Sequence, residues 1–172
     1  DTSRFIFFLS EHLGVETSKI KSFVLGGHGD SMVAMLNHTY IDGKPISELV
    51  KNGKLKKDKL DFIINRTKNG GAEIVKFLEK GSAFYAPASS GVEMADSYLN
   101  NKKKQLPCAA FVNGEYGVKS LYVGVPVIIG SSGVEKVIEI DLSPTEKENF
   151  NKSIDSVKNL YEAAIKIDPT LK

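Results

Sequence analysis

Three strand-like runs follow one another in the C-terminal half of the chain, and they constrain its fold more than any other feature. The runs cover residues 106–112, 120–129 and 134–140 and are rich in Val, Ile and Leu. Asn113-Gly114 and Ser131-Ser132-Gly133 separate them, and such turn sequences typically join antiparallel neighbours. The pattern therefore predicts an antiparallel meander.

Helix-like segments cluster around this meander rather than alternate with the strands. The spacing of apolar residues predicts helices over residues 1–13, 46–50, 54–80, 88–100 and about 144–166. Segments grouped in this way are typical of the α+β class, here antiparallel strands with packed helices. A length of 172 residues fits one domain of that class, spanning residues 1–172.

Three sequence signals make specific predictions about the helices. Ser143, Pro144 and Glu146 form a capping box with proline at the first helical position, which predicts where the last helix begins. Pro87 is expected to open the helix that follows it. Asn69-Gly70-Gly71 interrupts the longest helix, and each glycine there costs about 1 kcal/mol relative to alanine. We therefore expect a kink or a close approach of another element at that point.

The N-terminal part of the chain combines a helix with short strands and glycine turns. Residues 20–25 and 31–36 are predicted strands, and the glycine-rich residues 26–30 are the turn between them. Asp42-Gly43 is a turn signal that would close a hairpin. The apolar run Phe5–Leu9 of the first helix would serve either the core or a contact between subunits.

Composition and charge exclude several classes of protein. The chain carries 23 Lys and Arg against 21 Asp and Glu, a balance too even for a dedicated nucleic-acid binder. Its one cysteine, Cys108, cannot form an internal disulfide and fits a reducing compartment, so we expect a cytoplasmic protein. No run of 18 apolar residues is present, so no transmembrane helix is expected. The chain begins at Asp1 without a signal-peptide pattern, which we interpret as a processed or incomplete piece.

The turn around His28 is the first candidate for chemistry. Gly26, Gly27 and Gly29 remove side-chain bulk around the histidine, so a ligand and the backbone could approach its ring closely. An exposed histidine exchanges protons near neutral pH. The alternative interpretation is an ordinary hairpin turn that contains a histidine.

Asp1 and Arg4 are the second candidate, because residues three apart share one face of a helix. The alternative is an acidic residue favoured by the helix dipole, with a surface ion pair. Taken with His28, however, the carboxylate could fix the imidazole tautomer and stabilise its charged form. Arg4 could then bind a carboxylate substrate through two parallel hydrogen bonds. The three residues would form a proton-transfer site for a small acid, provided that the fold brings them together.

Other sites are not expected. His12 and His38 lack metal-ligand spacing to His28, so we predict no metal site. The chain contains neither a G-x-G-x-x-G motif opening a βαβ unit nor a phosphate-binding loop, so no nucleotide-binding domain is predicted within it.

Five collinear motifs resemble those of the lactate/malate dehydrogenase family. Asp1-Thr2-Ser3-Arg4-Phe5 is similar to the family motif D-[ST]-x-R-F, and the residues from Gly26 to Val33 are similar to its catalytic histidine loop. Further similarity covers residues 66–75, 81–88 and 109–127. The resemblance spans essentially the whole chain and concerns only the C-terminal, substrate-binding domain of the family. It implies that the N-terminal Rossmann domain, which binds NAD, is the partner of this chain and is absent from it.

The resemblance also implies roles for particular residues. His28 would be the general acid/base that takes the hydroxyl proton while C2 of the substrate gives a hydride to NAD. Asp1 would orient His28, and Arg4 would bind the C1 carboxylate. Gly71 and Ala83 would line the substrate pocket, and Pro87 would contact the cofactor. The implied partners are a small 2-hydroxy or 2-oxo dicarboxylic acid and further copies of the enzyme, as a dimer or tetramer, with no nucleic acid and no membrane.

Two details resemble the malate-specific branch of the family. Gly27 precedes the histidine where lactate enzymes usually place Glu, and residues 81–87 follow the malate pattern. The implied reaction is the NAD-dependent interconversion of (S)-malate and oxaloacetate, a step of the tricarboxylic acid cycle. The alternatives are an L-lactate dehydrogenase and an isolated, inactive domain that only self-associates, since the family's specificity loop lies outside this chain.

Overall fold

The computed structural model describes residues 1–171, and they form five α-helices, eight strands and several short 3-10 turns. The helices are α1 (Thr2–Leu13), α2 (Ile46–Lys51), α3 (Lys57–Leu78), α4 (Tyr85–Leu99) and α5 (Pro144–Ile167). The strands are β1 (Ile20–Lys21), β2 (Val24–Gly26), β3 (Met32–Ala34), β4 (Tyr40–Ile41), β5 (Lys44–Pro45), β6 (Lys104–Val112), β7 (Leu121–Gly130) and β8 (Gly133–Val137). No helix in this range is long and apolar enough to cross a membrane.

The strands form two antiparallel sheets, which confirms the α+β prediction. In the larger sheet the order is β3-β2-β7-β6, and β8 also pairs with β7. Strands β6 and β7 pair along their length, from Lys104 opposite Ile129 to Val112 opposite Leu121. The predicted meander of three consecutive strands is thus present, with β7 at its centre. The smaller sheet, β1-β4-β5, contains the hairpin predicted at Asp42-Gly43.

Two clusters of buried side chains hold these layers together. One lies between the larger sheet and α5 and includes Val123, Val125, Phe150 and Ile154. The other lies among α1, α3 and the smaller sheet. In α1 the run Phe5–Leu9 is divided between core and surface, because Phe5 and Leu9 are fully buried whereas Phe7 is half exposed.

The local signals located α5 correctly. The Ser143 hydroxyl accepts from the backbone N–H of Glu146, and the Ser143 N–H donates to Glu146 Oε2 at 3.0 Å. The other carboxylate oxygen of Glu146 accepts from the backbone N–H of Asn37 at 3.0 Å. The N-terminal half of α5 is therefore fixed against the domain, whereas Leu160 and Ile167 of its second half are exposed.

The strand predicted over 31–36 is shorter in the structure, where β3 covers Met32–Ala34. Three other predicted elements also differ. The strand predicted over 20–25 is two short strands in different sheets, because Ser22 between them turns inward and its hydroxyl bonds that of Thr39 at 2.8 Å. Helix α3 begins at Lys57 rather than at residue 54 and continues through the predicted interruption. Pro87 is the third residue of α4, since helix starts have free N–H groups that a proline can replace.

Two glycines allow the backbones of β2 and β7 to approach each other closely. Gly26 is paired with Gly124, and a Cβ atom on Gly124 would lie 2.5 Å from the carbonyl oxygen of Gly26. Only glycine at position 124 permits this contact. The approach fixes the end of β2 and hence the start of the His28 turn.

Replacing Gly124 with alanine should therefore destabilise the domain by about 1–3 kcal/mol, the usual cost of overpacking. Gly91→Ala in α4 is the matched control, because a Cβ atom there meets nothing within 4 Å and alanine favours the helix. Urea unfolding of both variants measures the difference. A Gly124→Ala variant as stable as wild type would contradict the close-packing argument.

Candidate active site

The fold brings the histidine turn to the N-terminus of α1. His28 lies just after β2, and Asp1 immediately precedes α1. His28 Nδ1 lies 2.9 Å from Asp1 Oδ2. An ionised carboxylate can only accept, so Nδ1 carries the proton of this hydrogen bond. When the ring is neutral, Nε2 is therefore the free base.

Thr2 connects the two segments that carry this pair. Its hydroxyl accepts from the backbone N–H of Val24 at 3.1 Å, which joins the first residue of α1 to the first residue of β2. Asp1 occupies the N-cap position but makes no side-chain capping bond. Its carboxylate is directed to the histidine instead, so the helix-dipole interpretation does not account for it.

Arg4 lies on the other side of the same carboxylate. Its Nη1 atom is 3.8 Å from Asp1 Oδ1, and the two side chains are only 12% and 13% exposed, unlike a surface ion pair. Asp1 Oδ1 and Arg4 Nε are buried and make no hydrogen bond within residues 1–171. A buried donor and a buried acceptor without partners are costly, so this ion pair is a polar site whose hydrogen bonds the described residues leave unmade.

The two glycines of α3 make room for Arg4. A Cβ atom on Gly70 would lie 3.1 Å from Arg4 Cδ, and one on Gly71 would lie 3.7 Å from Nη1. Of the two outcomes expected for Asn69-Gly70-Gly71, the structure shows close packing. Gly71, a predicted substrate contact, thus lies against the guanidinium.

Ala83 and Pro87 lie further along the chain and are not brought to the His28–Asp1 pair. Ala83 is in the connection between α3 and α4, and Pro87 is exposed in the first turn of α4. Their predicted contacts with substrate and cofactor stay predictions.

A cavity of about 840 Å³ opens beside the histidine. Asp1, Gly27 and His28 form one end, and side chains of α4 and β6 form the opposite side, among them Ser90, Met94 and Cys108. Pro87 does not line the cavity, but it precedes Ser90 by three residues and so shares its helix face. The cavity is large enough for a ligand the size of a drug or a cofactor fragment.

The surroundings of His28 favour the neutral form of its imidazole. Its side chain is 82% exposed, while the carboxylate that holds it is 13% exposed. Partial desolvation lowers the pKa of His28, and the positive charge of Arg4 lowers it further. A lowered pKa leaves Nε2 unprotonated at pH 7, ready to accept a proton from a ligand.

Sequence reasoning missed two residues that hold this site. The sequence predicts no role for Thr2 beyond its place in the D-[ST]-x-R-F motif, although a hydroxyl at a helix start is a known signal for a backbone contact. Ser153 of α5, whose Oγ accepts from the Gly27 N–H at 2.8 Å, carried no signal at all. His38 is used elsewhere, because its Nε2 atom bonds the carbonyl of Asp141 at 2.6 Å. Within residues 1–171 no three His, Cys, Asp or Glu side chains cluster as metal ligands would.

Comparison with known proteins identifies relatives of the whole chain. The family described as "lactate/malate dehydrogenase, alpha/beta C-terminal domain" matches residues 1–167. The curated malate dehydrogenase of Pelagibacter ubique (strain HTCC1062) is 58% identical over 171 residues, which cover 99% of this chain and 53% of that protein.

Solved structures of both enzyme types are similar. Malate dehydrogenase of Cryptosporidium parvum has a TM-score of 0.89 and 45% identity, covering 92% of this chain and 50% of that one. Lactate dehydrogenase of Eimeria maxima, solved with NADH and oxamate, has a TM-score of 0.92 and 38% identity, covering 97% and 52%. The chain thus spans about half the length of these relatives.

The positive charge of the Arg4 guanidinium is expected to lower the pKa of His28. Replacement by Gln removes that positive charge, so the imidazolium becomes less unfavourable and the pKa of His28 should rise. Titration of the imidazole by NMR measures the change, with Lys54→Gln, on an exposed charge run, as the control. A pKa that stays or falls in Arg4→Gln would show that Arg4 does not act on the ring.

Proposed function

This chain belongs to the lactate/malate dehydrogenase family as its C-terminal domain, and on that premise we propose that it supplies the catalytic half of a malate dehydrogenase. The reaction is the reversible NAD-dependent oxidation of (S)-malate to oxaloacetate. The contact between His28 Nδ1 and Asp1 Oδ2 carries the proposal.

His28 is the general acid/base of the proposed reaction. With Nδ1–H held by Asp1, the free Nε2 takes the proton of the substrate hydroxyl as the carbonyl forms. The resulting imidazolium lies against the carboxylate, which stabilises it. In the reverse direction the imidazolium returns the proton to the carbonyl oxygen of oxaloacetate.

Arg4 binds the substrate carboxylate. Its Nε is buried, but Nη1 and Nη2 are not among the buried unpaired atoms, and Nη1 is no closer than 3.8 Å to Asp1 Oδ1, so the two Nη groups can present parallel N–H donors to an anion. Gly71 contributes the space beside the guanidinium, as its Cβ would lie 3.8 Å from Nη2. The carboxylate is thereby placed near the imidazole.

This domain would contact only one end of NAD. The chain has no glycine-rich dinucleotide motif, so we propose that a second domain holds most of the cofactor. Pro87 would contact the nicotinamide end and Ala83 the substrate, and in support Pro87 lies one helical turn before Ser90, which lines the cavity beside His28. The chemistry that bound NAD supplies is the acceptance of a hydride.

The packing of Gly27 supports malate over lactate. A Cβ atom there would collide with the Ser31 hydroxyl and would lie 3.0 Å from Val157 Cγ2. A glutamate at this position, usual in lactate enzymes, would need these neighbours to move. The 58% identity to a malate dehydrogenase points the same way.

L-Lactate dehydrogenase is the alternative, because lactate enzymes are among the similar structures. The specificity loop of the family decides between them, and it lies ahead of the D-[ST]-x-R-F motif. Determining the sequence encoded upstream of Asp1 tests the choice. An arginine at the loop position that reads the distal carboxylate agrees with malate, and an uncharged residue at that position favours lactate.

We further propose a cytoplasmic homo-oligomer of two-domain subunits. Phe7 on α1 and Val92 and Leu99 on α4 are exposed apolar side chains that a second copy would cover. If the chain were only a self-associating module, it would oligomerise without activity in any context. Light scattering with an activity assay separates these cases.

His28→Ala should lower kcat by about 10²–10⁴-fold, the usual contribution of a general acid/base. The measurement uses a chimera in which residues 1–172 replace the matching half of the Pelagibacter ubique enzyme, assayed with NADH and oxaloacetate. His12→Ala, an exposed histidine on α1, is the matched control and should retain wild-type turnover.

Two results would count against the proposed function. Turnover of His28→Ala within tenfold of the parent chimera would remove the histidine from the chemistry. Oxidation of NADH by the 172-residue chain alone would contradict the need for a second domain, since that chain is expected to be inactive.

Arg4→Lys should raise the KM for oxaloacetate in the same chimera by about 10–100-fold. Lysine keeps the charge but loses the fork, and a charge-assisted hydrogen bond is worth about 1.5–3 kcal/mol. Arg66→Lys is the control, because that guanidinium is bound to Glu73 at 2.9 Å. An unchanged KM in Arg4→Lys would exclude bidentate binding.

A further inference from the structure

A hydroxyl of the last helix is bound to the backbone of the histidine turn. The N–H of Gly27 donates to Ser153 Oγ at 2.8 Å, across 126 residues of sequence. Ser153 is 2% exposed and lies in the buried half of α5. The bond reaches the residue immediately before His28.

The contact leaves no room for a side chain at position 26. A Cβ atom on Gly26 would collide with the Ser153 hydroxyl and would lie 2.9 Å from Ser153 Cβ. Gly26 also has a φ of 87°, which disfavours side chains. On its other side Gly26 is pressed against Gly124. The turn is therefore held between β7 and α5.

The exposed ring needs such a hold. With 82% of its side chain exposed, His28 has few packing contacts, and the 2.9 Å bond to Asp1 is its one hydrogen bond within the described residues. The position of the ring therefore depends on where the backbone of the turn lies. Ser153 fixes that backbone one residue earlier.

We propose that Ser153 is a positioning residue for His28, which keeps the turn where Asp1 can hold the proton on Nδ1. The mechanical part of this proposal concerns the chain alone, and its catalytic meaning rests on the function proposed above. A purely structural Ser153 would affect stability but would leave the imidazole tautomer unchanged.

The test compares Ser153→Ala with Ser97→Ala. Ser97 is the matched control, because it is also fully buried and joins elements through its hydroxyl, which donates to the Ile129 carbonyl at 2.7 Å and accepts from Lys104 N–H at 3.1 Å. The ¹⁵N shifts of the His28 ring, recorded on the 172-residue chain above its pKa, report which nitrogen carries the proton.

Wild type and Ser97→Ala should both show the Nδ1–H tautomer. Ser153→Ala should show a mixture enriched in Nε2–H, because a released turn lets the ring leave Asp1. An unchanged tautomer in Ser153→Ala, or an equal change in Ser97→Ala, would overturn the proposal.

A measurement on the wild-type chain tests the proposal even if the Ser153→Ala variant does not fold. In the wild-type chain, the Gly27 amide should exchange with solvent far more slowly than that of Gly29, which follows the histidine. Equal exchange rates would show that the Ser153 bond is absent and would overturn the proposal.

Kinetics in the chimera link the positioning to turnover. Ser153→Ala should lower kcat by about 10–100-fold with little change in the KM for oxaloacetate, because Arg4 is held by α1 and α3. An unchanged kcat would overturn the catalytic meaning. A parent chimera without activity would instead refute the proposed function, and the tautomer result would still stand.

Discussion

One buried carboxylate holds the site together. One oxygen of the Asp1 carboxylate bonds the imidazole of His28, and the other lies near the guanidinium of Arg4. The side chains of Asp1 and Arg4 are both largely withdrawn from water. A charge in such a position is tolerated only with partners, so the carboxylate fixes both neighbours as much as they stabilise it. Because Asp1 and Arg4 stand on one helix and His28 follows a strand, this single group orients two segments that are far apart in sequence.

Glycines supply the space that this arrangement needs. At the β2–β7 junction, two of them allow backbones to touch where side chains would collide. On α3 two more allow Arg4 to lie flat against the helix. Each of these glycines reduces the stability of the fold through lost conformational freedom or weaker helix formation. Each also allows a close approach that brings a functional group into position.

Signals between residues close in sequence predicted most of the helices and strands. They could not predict contacts between residues far apart in sequence. The capping box at Ser143 and the turns of the meander act between residues a few positions apart, so the sequence displays them directly. The strand expected over 20–25 divides because Ser22 bonds Thr39, a tertiary contact that no periodicity records. The resemblance named His28, Asp1 and Arg4, but only the folded chain shows that they meet. Ser153 could not be predicted, since its partner lies 126 residues away and a serine in a helix is common.

The attachment of α5 has a consequence for its far end. Its hydrogen bonds to preceding elements, at Glu146 and Ser153, and its core contacts, from Phe150 to Val157, lie within the first four turns, while Leu160 and Ile167 are exposed. Helix α5 is thus attached to the domain through its N-terminal part, and one of these attachments is the bond from Ser153 to the histidine turn. Changes of the exposed side chains at its far end leave the bond between Ser153 and the histidine turn intact. The side chains of the last turns of α5 can therefore vary in sequence without altering the geometry of the His28–Asp1 pair.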